Sequence, residues 1–334
     1  MKKLDFQQVG TQQSYAVEFD ESKPLGDGTQ GIVYNITKIN NKATAVWAIK
    51  LLNQSLSPDV KRLQALIEFV EAGTLNTDGL ACVPVALLQV KSDHQLGIVM
   101  RCAPGPDIEK GGGVPTGGDL QKRLAAAYQL ARCVCRLHEK DVIVGDLAYD
   151  NIIIDPKSSN WGLYLIDIDG AGFSWRRQGY SLLYNNSQKG SLCPPEHSPN
   201  KPYTLEMDLW GLAILVHYIL TDSDPICDFG LARNYAGTAE LSWPPSNHPK
   251  CKVHLEHLHL LGQPLYEAFI GAFNQGRIQA SKRPKAIEWE TWLSEARNHL
   301  YQCDCSPDKP FVAIEAVGKI MAECPNCRNG IAER

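Results

Sequence analysis

The sequence predicts an α+β chain in two lobes, a small β-rich lobe and then a larger helical one, closed by a small four-cysteine module. Three observations carry this expectation. The runs 32–39, 43–51, 81–90 and 96–101 are rich in β-branched and aromatic residues. Beyond a Pro- and Gly-rich crossing at 103–119, apolar residues recur at three- and four-residue steps. Four of the eleven cysteines gather near the end as Cys303-x-Cys305 and Cys324-x-x-Cys327. With 334 residues, 44% of them hydrophobic, the chain can bury a sizeable core.

In chain order, Asn40-Asn41 separates the first two strand-like runs, and asparagine tolerates the positive φ of a tight hairpin turn. Ser57-Pro58 reads as a helix N-cap with proline at the first helical position, and Leu63, Leu66, Ile67 and Val70 give that helix an apolar face. Gly111-Gly112-Gly113 and Gly117-Gly118 mark the lobe boundary. After it, Leu124, Ala127, Ala131, Val134 and Leu137 form a helical stripe, and further helices are expected near 206–220, 251–272 and 285–300. The division is an N-terminal extension at 1–19, lobes at 20–102 and 103–296, and the cysteine module at 297–334.

Thirty-three basic against 37 acidic residues give a formal charge of −4, so the bulk charge offers nothing to nucleic acid or an anionic membrane. No apolar run reaches the roughly 18 residues of a membrane span. Met1-Lys2-Lys3-Leu4-Asp5 lacks the apolar stretch of a signal peptide, so a cytoplasmic, reducing location is expected.

Gly26-Asp27-Gly28-Thr29-Gln30-Gly31 is a G-x-G-x-x-G run, in which backbone amides can approach phosphate oxygens unobstructed. A strand follows it, where a dinucleotide fold would have a helix, and this favours a hairpin lid over a nucleotide. Lys50 ends the apolar strand Val46-Trp47-Ala48-Ile49, placed to neutralise phosphates. Asp146 and Asn151 precede the apolar run Ile152-Ile153-Ile154, and Asp167-Ile168-Asp169-Gly170 follows Leu165-Ile166. A carboxylate base, an amide ligand and a carboxylate ligand to magnesium would look like this.

These residues together make the chain similar to the eukaryotic-like protein kinases over residues 20–296. Gly26, Gly28 and Gly31 match the glycine-rich loop, Lys50 the V-A-I-K lysine, Asp146 and Asn151 the H-R-D-L-x-x-x-N pair, and Asp167 the D-F-G aspartate. Pro194-Pro195-Glu196 resembles the A-P-E segment, Asp208-x-Trp210-Gly211 the helix that anchors the catalytic loop, and Arg283 the late arginine that pairs with Glu196. The resemblance implies ATP and Mg2+ (or Mn2+) as cofactors, with Asp146 as catalytic base. Asn151 and Asp167 would be the metal ligands, with Asp169 as the alternative register. It places Val33, Ala48, Met100, Cys102 and Ala103 around the adenine, and Glu68 or Glu71 opposite Lys50.

The chain also departs from that pattern. Val144-Gly145 replaces His-Arg beside the base, so no arginine stands there to receive an activation-segment phosphate. Phosphorylation of Ser174, Tyr180, Ser181, Tyr184, Ser187 or Ser191 is therefore not expected to be required. Ala148 replaces a lysine usual in serine/threonine kinases, and Asp167-Ile168-Asp169 lacks the phenylalanine and glycine of D-F-G.

Cys303, Cys305, Cys324 and Cys327 suit a closed tetrahedral Zn2+ site of structural kind, resembling a zinc ribbon. The polar stretch Ser306-Pro307-Asp308-Lys309 suggests that this module buries little apolar surface of its own. Cys251-x-x-His254-x-x-His257, with His259 near, has ligand-like helical spacing but no completing carboxylate, and Trp175-Arg176-Arg177 is a local basic bump. The expected activity is γ-phosphate transfer to a hydroxyl, serine or threonine, of a partner protein; a pseudokinase scaffold and a small-molecule kinase stand as alternatives. The I-D-x-D motif and cysteine module further resemble bacterial kinases associated with TerY-type von Willebrand A-domain proteins and a metal-dependent protein phosphatase, in systems linked to tellurite or other stress. That resemblance implies those two proteins as partners.

Overall fold

The computed structural model describes residues 1–55, 58–109, 114, 119–159, 161–176, 178–181, 192–198, 201–229, 243–245, 258–305, 310–316, 319–321, 323–324 and 327–331. The first lobe holds β1 (Lys2–Gln8), β2 (Ser14–Gly28), β3 (Gly31–Ile39), β4 (Lys42–Ala43), β5 (Trp47–Leu52), helix α1 (Val60–Glu71), β6 (Pro84–Val90) and β7 (Leu96–Arg101). The strands run in the order β2-β1-β6-β7-β5-β3-β4, and β2 also pairs with β3. Six strands therefore close into a ring, and this leaves few unpaired edges. Residues 2–19 are part of that wall, since β1 bridges β2 and β6, and the 19/20 division drawn from sequence falls inside β2.

Strand alternation sorts the side chains of this ring onto two faces. Phe6, Val17, Phe19, Tyr34, Ile36, Ile49, Leu51, Leu88, Val90 and Val99 fill the inside. Ala48, Leu52, Ile98 and Met100 face the other way, against Leu63 and Ile67 of α1. Lys50 lies between Ala48 and Leu52 on that second face, so the ring aims it at α1 and the cleft rather than into the barrel. Asn40 and Asn41 take φ of 49° and 64°, as the tight turn requires. The cap of α1 differs from expectation: Asp59 accepts the Arg62 N–H at 3.0 Å and the helix begins at Val60. Asp59, two residues after Ser57, supplies the cap; Ser57 itself lies outside the described residues.

The second lobe contains α2 (Leu120–His138), the hairpin β8 (Ile152–Asp155) and β9 (Gly162–Leu165), the hairpin β10 (Phe173–Trp175) and β11 (Gln178–Tyr180), α3 (Leu205–Thr221), α4 (Gln263–Ile270) and α5 (Ala286–Asn298). The predicted stripe Leu124, Ala127, Ala131, Val134 and Leu137 is fully buried. Helix α3 is buried nearly all round, from Met207 to Leu220, which explains why it is apolar on every side. The glycine crossing at 110–113 and 115–118, and Cys251, His254 and His257, lie outside the described residues. His259 stacks on Tyr266 at 4.6 Å between ring centres.

The tail forms β12 (Leu300–Tyr301), β13 (Phe311–Val312), β14 (Ile314–Ala316) and β15 (Lys319–Ile320). It buries more apolar surface than its polar spacer suggested. Phe311 and Ala313 join Cys303 and Cys324 in a small core, whereas Val312 and Ile314 enter the main core of the helical lobe. Main-chain bonds from Val312 to Leu260 (2.7 Å) and from Ala313 to His299 (2.9 Å) fasten it there. Gly262, at φ 82°, permits the approach, since a Cβ at that position would lie 3.0 Å from Val312. No described helix is long and apolar enough to cross a membrane.

Candidate active site

Lys50 is held at the cleft by three groups. Its Nζ donates to Asp167 Oδ1 at 2.5 Å, to both oxygens of Asp169 at 3.1 and 3.2 Å, and to Gln30 Oε1 at 2.9 Å. Gln30 belongs to the two-residue turn between β2 and β3, which brings Gly26 opposite Val33 and Gly28 opposite Gly31. Asn53 pins that turn through Thr29 and Gln30. Gly31 has a steric reason to be glycine, because a Cβ there would fall 2.2 Å from the Leu51 carbonyl. Val33, Ala48, Met100 and Cys102 meet in one apolar cluster above the cleft. Ala103 is half-buried beside it, and the Cys102 N–H is bonded to the Val46 carbonyl.

The loop carrying Asp146 is positioned from below by Asp208. This carboxylate, fully buried in the first turn of α3, accepts the N–H of Val144 at 2.7 Å and of Gly145 at 2.8 Å, and lies 3.1 Å from His138 Nε2. Gly145 has φ 77°, which accounts for glycine at this point of the loop. Asn151 Nδ2 donates to the Asp146 carbonyl at 3.0 Å, closing the loop over one short helical turn. Asp167 follows β9 in the left-handed region, at φ 61°, and a single turn from Ile168 to Gly170 carries Asp169 inward.

The carboxylates differ in environment. Burial, and then the charges of Asp167 and Asp150, push Asp146 up to about 6. Burial, and then the charge of Asp167, likewise push Asp169 up to about 6. Burial also works to raise Asp167, but the charge and hydrogen bond of Lys50 outweigh it and hold Asp167 below the usual range. Lys50 is raised: burial disfavours its charge, and Asp169 and Asp167 more than compensate. The side chain of Asp167 is 34% exposed and that of Asp169 only 7%. Asp167 is thus the ionised carboxylate open to the cleft, and Asp169 is the enclosed one.

Neither helix glutamate pairs with Lys50 in this structure. Glu71 is exposed on α1, and Glu68 Oε2 lies 3.1 Å from Arg176 and 3.4 Å from Trp175 Nε1. The reason is the face of α1 that meets β5: Leu63 and Ile67 occupy it, packed on Ala48 and Leu52. Glu68 instead ties the helix to the β10–β11 hairpin, where Phe69 stacks on Phe173 and touches Trp175, and Phe173 stacks on Tyr180. Arg177, Tyr184, Ser187 and Ser191 lie outside the described residues.

Away from the cleft, Arg283 grips Glu196 with both arms, Nη1 to Oε1 at 2.6 Å and Nη2 to Oε2 at 2.5 Å. It also donates to the Glu206 and Gly276 carbonyls and lies over the Trp210 ring. All three nitrogens of this buried fork donate, as burial of a guanidinium demands.

In the tail, the sulfurs of Cys303, Cys305, Cys324 and Cys327 all lie within 4.8 Å of one another. Cys303 and Cys327 are 3.6 Å apart, and Cys305 and Cys324 are 3.8 Å apart. A tetrahedron with metal–sulfur bonds of about 2.3 Å has edges of about 3.8 Å, so the four thiols fit a single metal ion.

Sequence reasoning missed Gln30 and His138. Gln30 lies inside the glycine run, where the spacing marks only the glycines. His138 sits at the end of α2, and only the folded chain brings it to Asp208. The model of the protein kinase domain matches residues 19–229. Aurora kinase of Patiria pectinifera is 26% identical over 226 residues, which are 65% of this chain and 51% of that protein. The cAMP-dependent protein kinase type 3 of Saccharomyces cerevisiae is 27% identical over 162 residues, 47% of this chain and 38% of that protein. The chain thus spans about half or less of the length of these relatives.

Proposed function

The chain belongs to the protein kinase domain family, and we propose that it moves the γ-phosphate of ATP to a serine or threonine hydroxyl of a partner protein. The supporting observation is the convergence on one cleft of Lys50, the Asp146–Asn151 loop and Asp167, under a glycine turn that reaches Lys50 through Gln30. In this reading Val33, Ala48, Met100, Cys102 and Ala103 receive the adenine, and Lys50 draws the phosphates into line. Asp146, pushed up to about 6 by burial and by neighbouring charge, takes the proton from the attacking hydroxyl.

Mg2+ fits the donor set. Asp167 offers an ionised carboxylate to the cleft, and Asn151, its amide donor engaged by Asp146, offers its oxygen. Bound there, the cation neutralises charge on the phosphates. Zn2+ fits the four thiolates of the tail, with no ligand position left open for chemistry, and would be structural.

We assign 2–102, with β1 and all of β2 included, and 103–298 to the two kinase lobes, with 299–334 as the cysteine module and a cytoplasmic location. A von Willebrand A-domain protein as substrate, with an opposing phosphatase, is the pairing implied by the resemblance of the I-D-x-D motif and cysteine tail to bacterial kinases of that association. Incubation with labelled ATP, Mg2+ and candidate A-domain proteins tests the assignment. Label should enter serine or threonine of the partner, and Asp146→Asn should abolish its entry while leaving ATP binding intact.

A further inference from the structure

Lys50 is almost fully enclosed, with its side chain 6% exposed, and a buried ammonium needs a fixed counter-charge. Helix α1 does not supply one, because Leu63 and Ile67 cover the face that meets Ala48 and Leu52 on either side of Lys50. Asp167 is open to the cleft, and in the reading above it is committed to the cation once nucleotide arrives. Among the described residues, Asp169 is the carboxylate that remains: its side chain is 7% exposed and it touches Lys50 Nζ with both oxygens, at 3.1 and 3.2 Å. The turn that holds it is anchored by fully buried Ile168 and by the Ala171 N–H bonded to the Ile168 carbonyl.

We propose that Asp169 is the positioning residue that fixes Lys50 for the nucleotide, a task no carboxylate of α1 performs in this chain. The inference rests on the proposed ATP-binding role of Lys50. It makes the lysine independent of where α1 sits, because both members of the pair belong to the floor and wall of the cleft. It also divides the two neighbouring carboxylates: Asp167 for the cation, Asp169 for the lysine.

Calorimetric titration of the full chain with Mg2+ and the β,γ-imido analogue of ATP tests this. Asp169→Asn should weaken binding roughly tenfold or more. It should also raise the Mg2+ concentration needed for half-maximal binding, because Lys50, left with Asp167 as its one carboxylate partner beside Gln30, competes with the cation for that carboxylate. Glu68→Gln and Glu71→Gln should stay within about twofold of the native chain, as exposed carboxylates do. Native-like binding and Mg2+ dependence in Asp169→Asn, or an equal loss in either glutamine variant, overturns the inference alone. A native chain that binds no nucleotide overturns the proposed function and this inference with it.

Thermal unfolding supplies a second test that needs no nucleotide. Asp169→Asn should lower Tm by roughly 2–5 °C in the native background, yet raise it in a Lys50→Met background where the carboxylate has lost its partner. An equal loss in both backgrounds contradicts the pairing.

Discussion

Asp208 Oδ1 accepts the Gly145 N–H at 2.8 Å, one residue before Asp146, while its Oδ2 holds the Val144 N–H at 2.7 Å. One carboxylate at the start of α3 thereby fixes the backbone of the loop that carries the proposed base. Replacing Asp208 with Ala leaves two buried N–H groups without that acceptor, at a cost of about 2–4 kcal/mol in stability. Chemical denaturation measures this, and turnover should fall in step because the Asp146 backbone loses its support. Asp208→Asn keeps one acceptor oxygen and should lose less.

Asp146 should be costly to the fold at neutral pH. Its pKa rises from 3.8 to about 6 on folding, mainly through burial, so between those values the folded chain binds a proton that the unfolded chain does not. Stability contributed by this group therefore falls as pH rises through that window. Asp146→Asn has no charge to bury, and above about pH 6 it should be more stable than the native chain by about 1–3 kcal/mol. Below about pH 4 the difference should vanish. Denaturation at pH 4 and pH 7.5 checks both the sign and the window.

Arg283→Lys should destabilise the helical lobe by about 2–4 kcal/mol, because a point charge cannot reproduce the two-armed grip on Glu196 together with the Glu206 and Gly276 bonds. Urea unfolding should show that cost for the conservative change. A stability equal to native would mean that the pair contributes little.

Abolishing the metal site proposed for the cysteine cluster should disturb more than the tail. Val312 and Ile314 belong to the core of the helical lobe, so a Cys324→Ser/Cys327→Ser variant should lose zinc and show increased hydrogen exchange at 258–270 as well as at 300–316. Exchange confined to the tail would show that the docking survives without the cluster.

Activity should persist without phosphate on the activation segment. Gly145 replaces the arginine that such a phosphate would pair with, and the β10–β11 hairpin is already held by Glu68–Arg176 and the Phe69, Phe173 and Tyr180 rings. A variant with Ser174, Ser181, Ser187 and Ser191 changed to Ala, and Tyr180 and Tyr184 changed to Phe, should keep turnover within about tenfold of native. A loss of a hundredfold or more would contradict this.

The chemistry-bearing residues were legible because each lies in a short run whose spacing is set by local geometry. Lys50 follows the apolar Val46-Trp47-Ala48-Ile49 within β5, which continues to Leu52; Asp146 and Asn151 flank one turn, and Asp167 follows an apolar run. The partner of Lys50 was not legible, because it depends on which face of α1 meets β5, and Glu68 and Glu71 fit the helical spacing as well as Leu63 and Ile67 do. The ring-closing strand β1 left a faint signal in the alternation of Leu4 and Phe6, hidden among lysines and glutamines. Phe311-Val312-Ala313-Ile314 is a continuous apolar run whose two faces serve two cores, and such a run does not reveal that division.

Phosphoryl transfer from this cleft can be read by parallel incubations of the purified chain with ATP labelled at the α or the γ position. Label should enter protein from the γ position alone, dependent on Mg2+ or Mn2+ and absent in Asp146→Asn, with ATP binding retained in that variant. No transfer by the native chain to itself or to any protein partner, or undiminished transfer by Asp146→Asn, would contradict it.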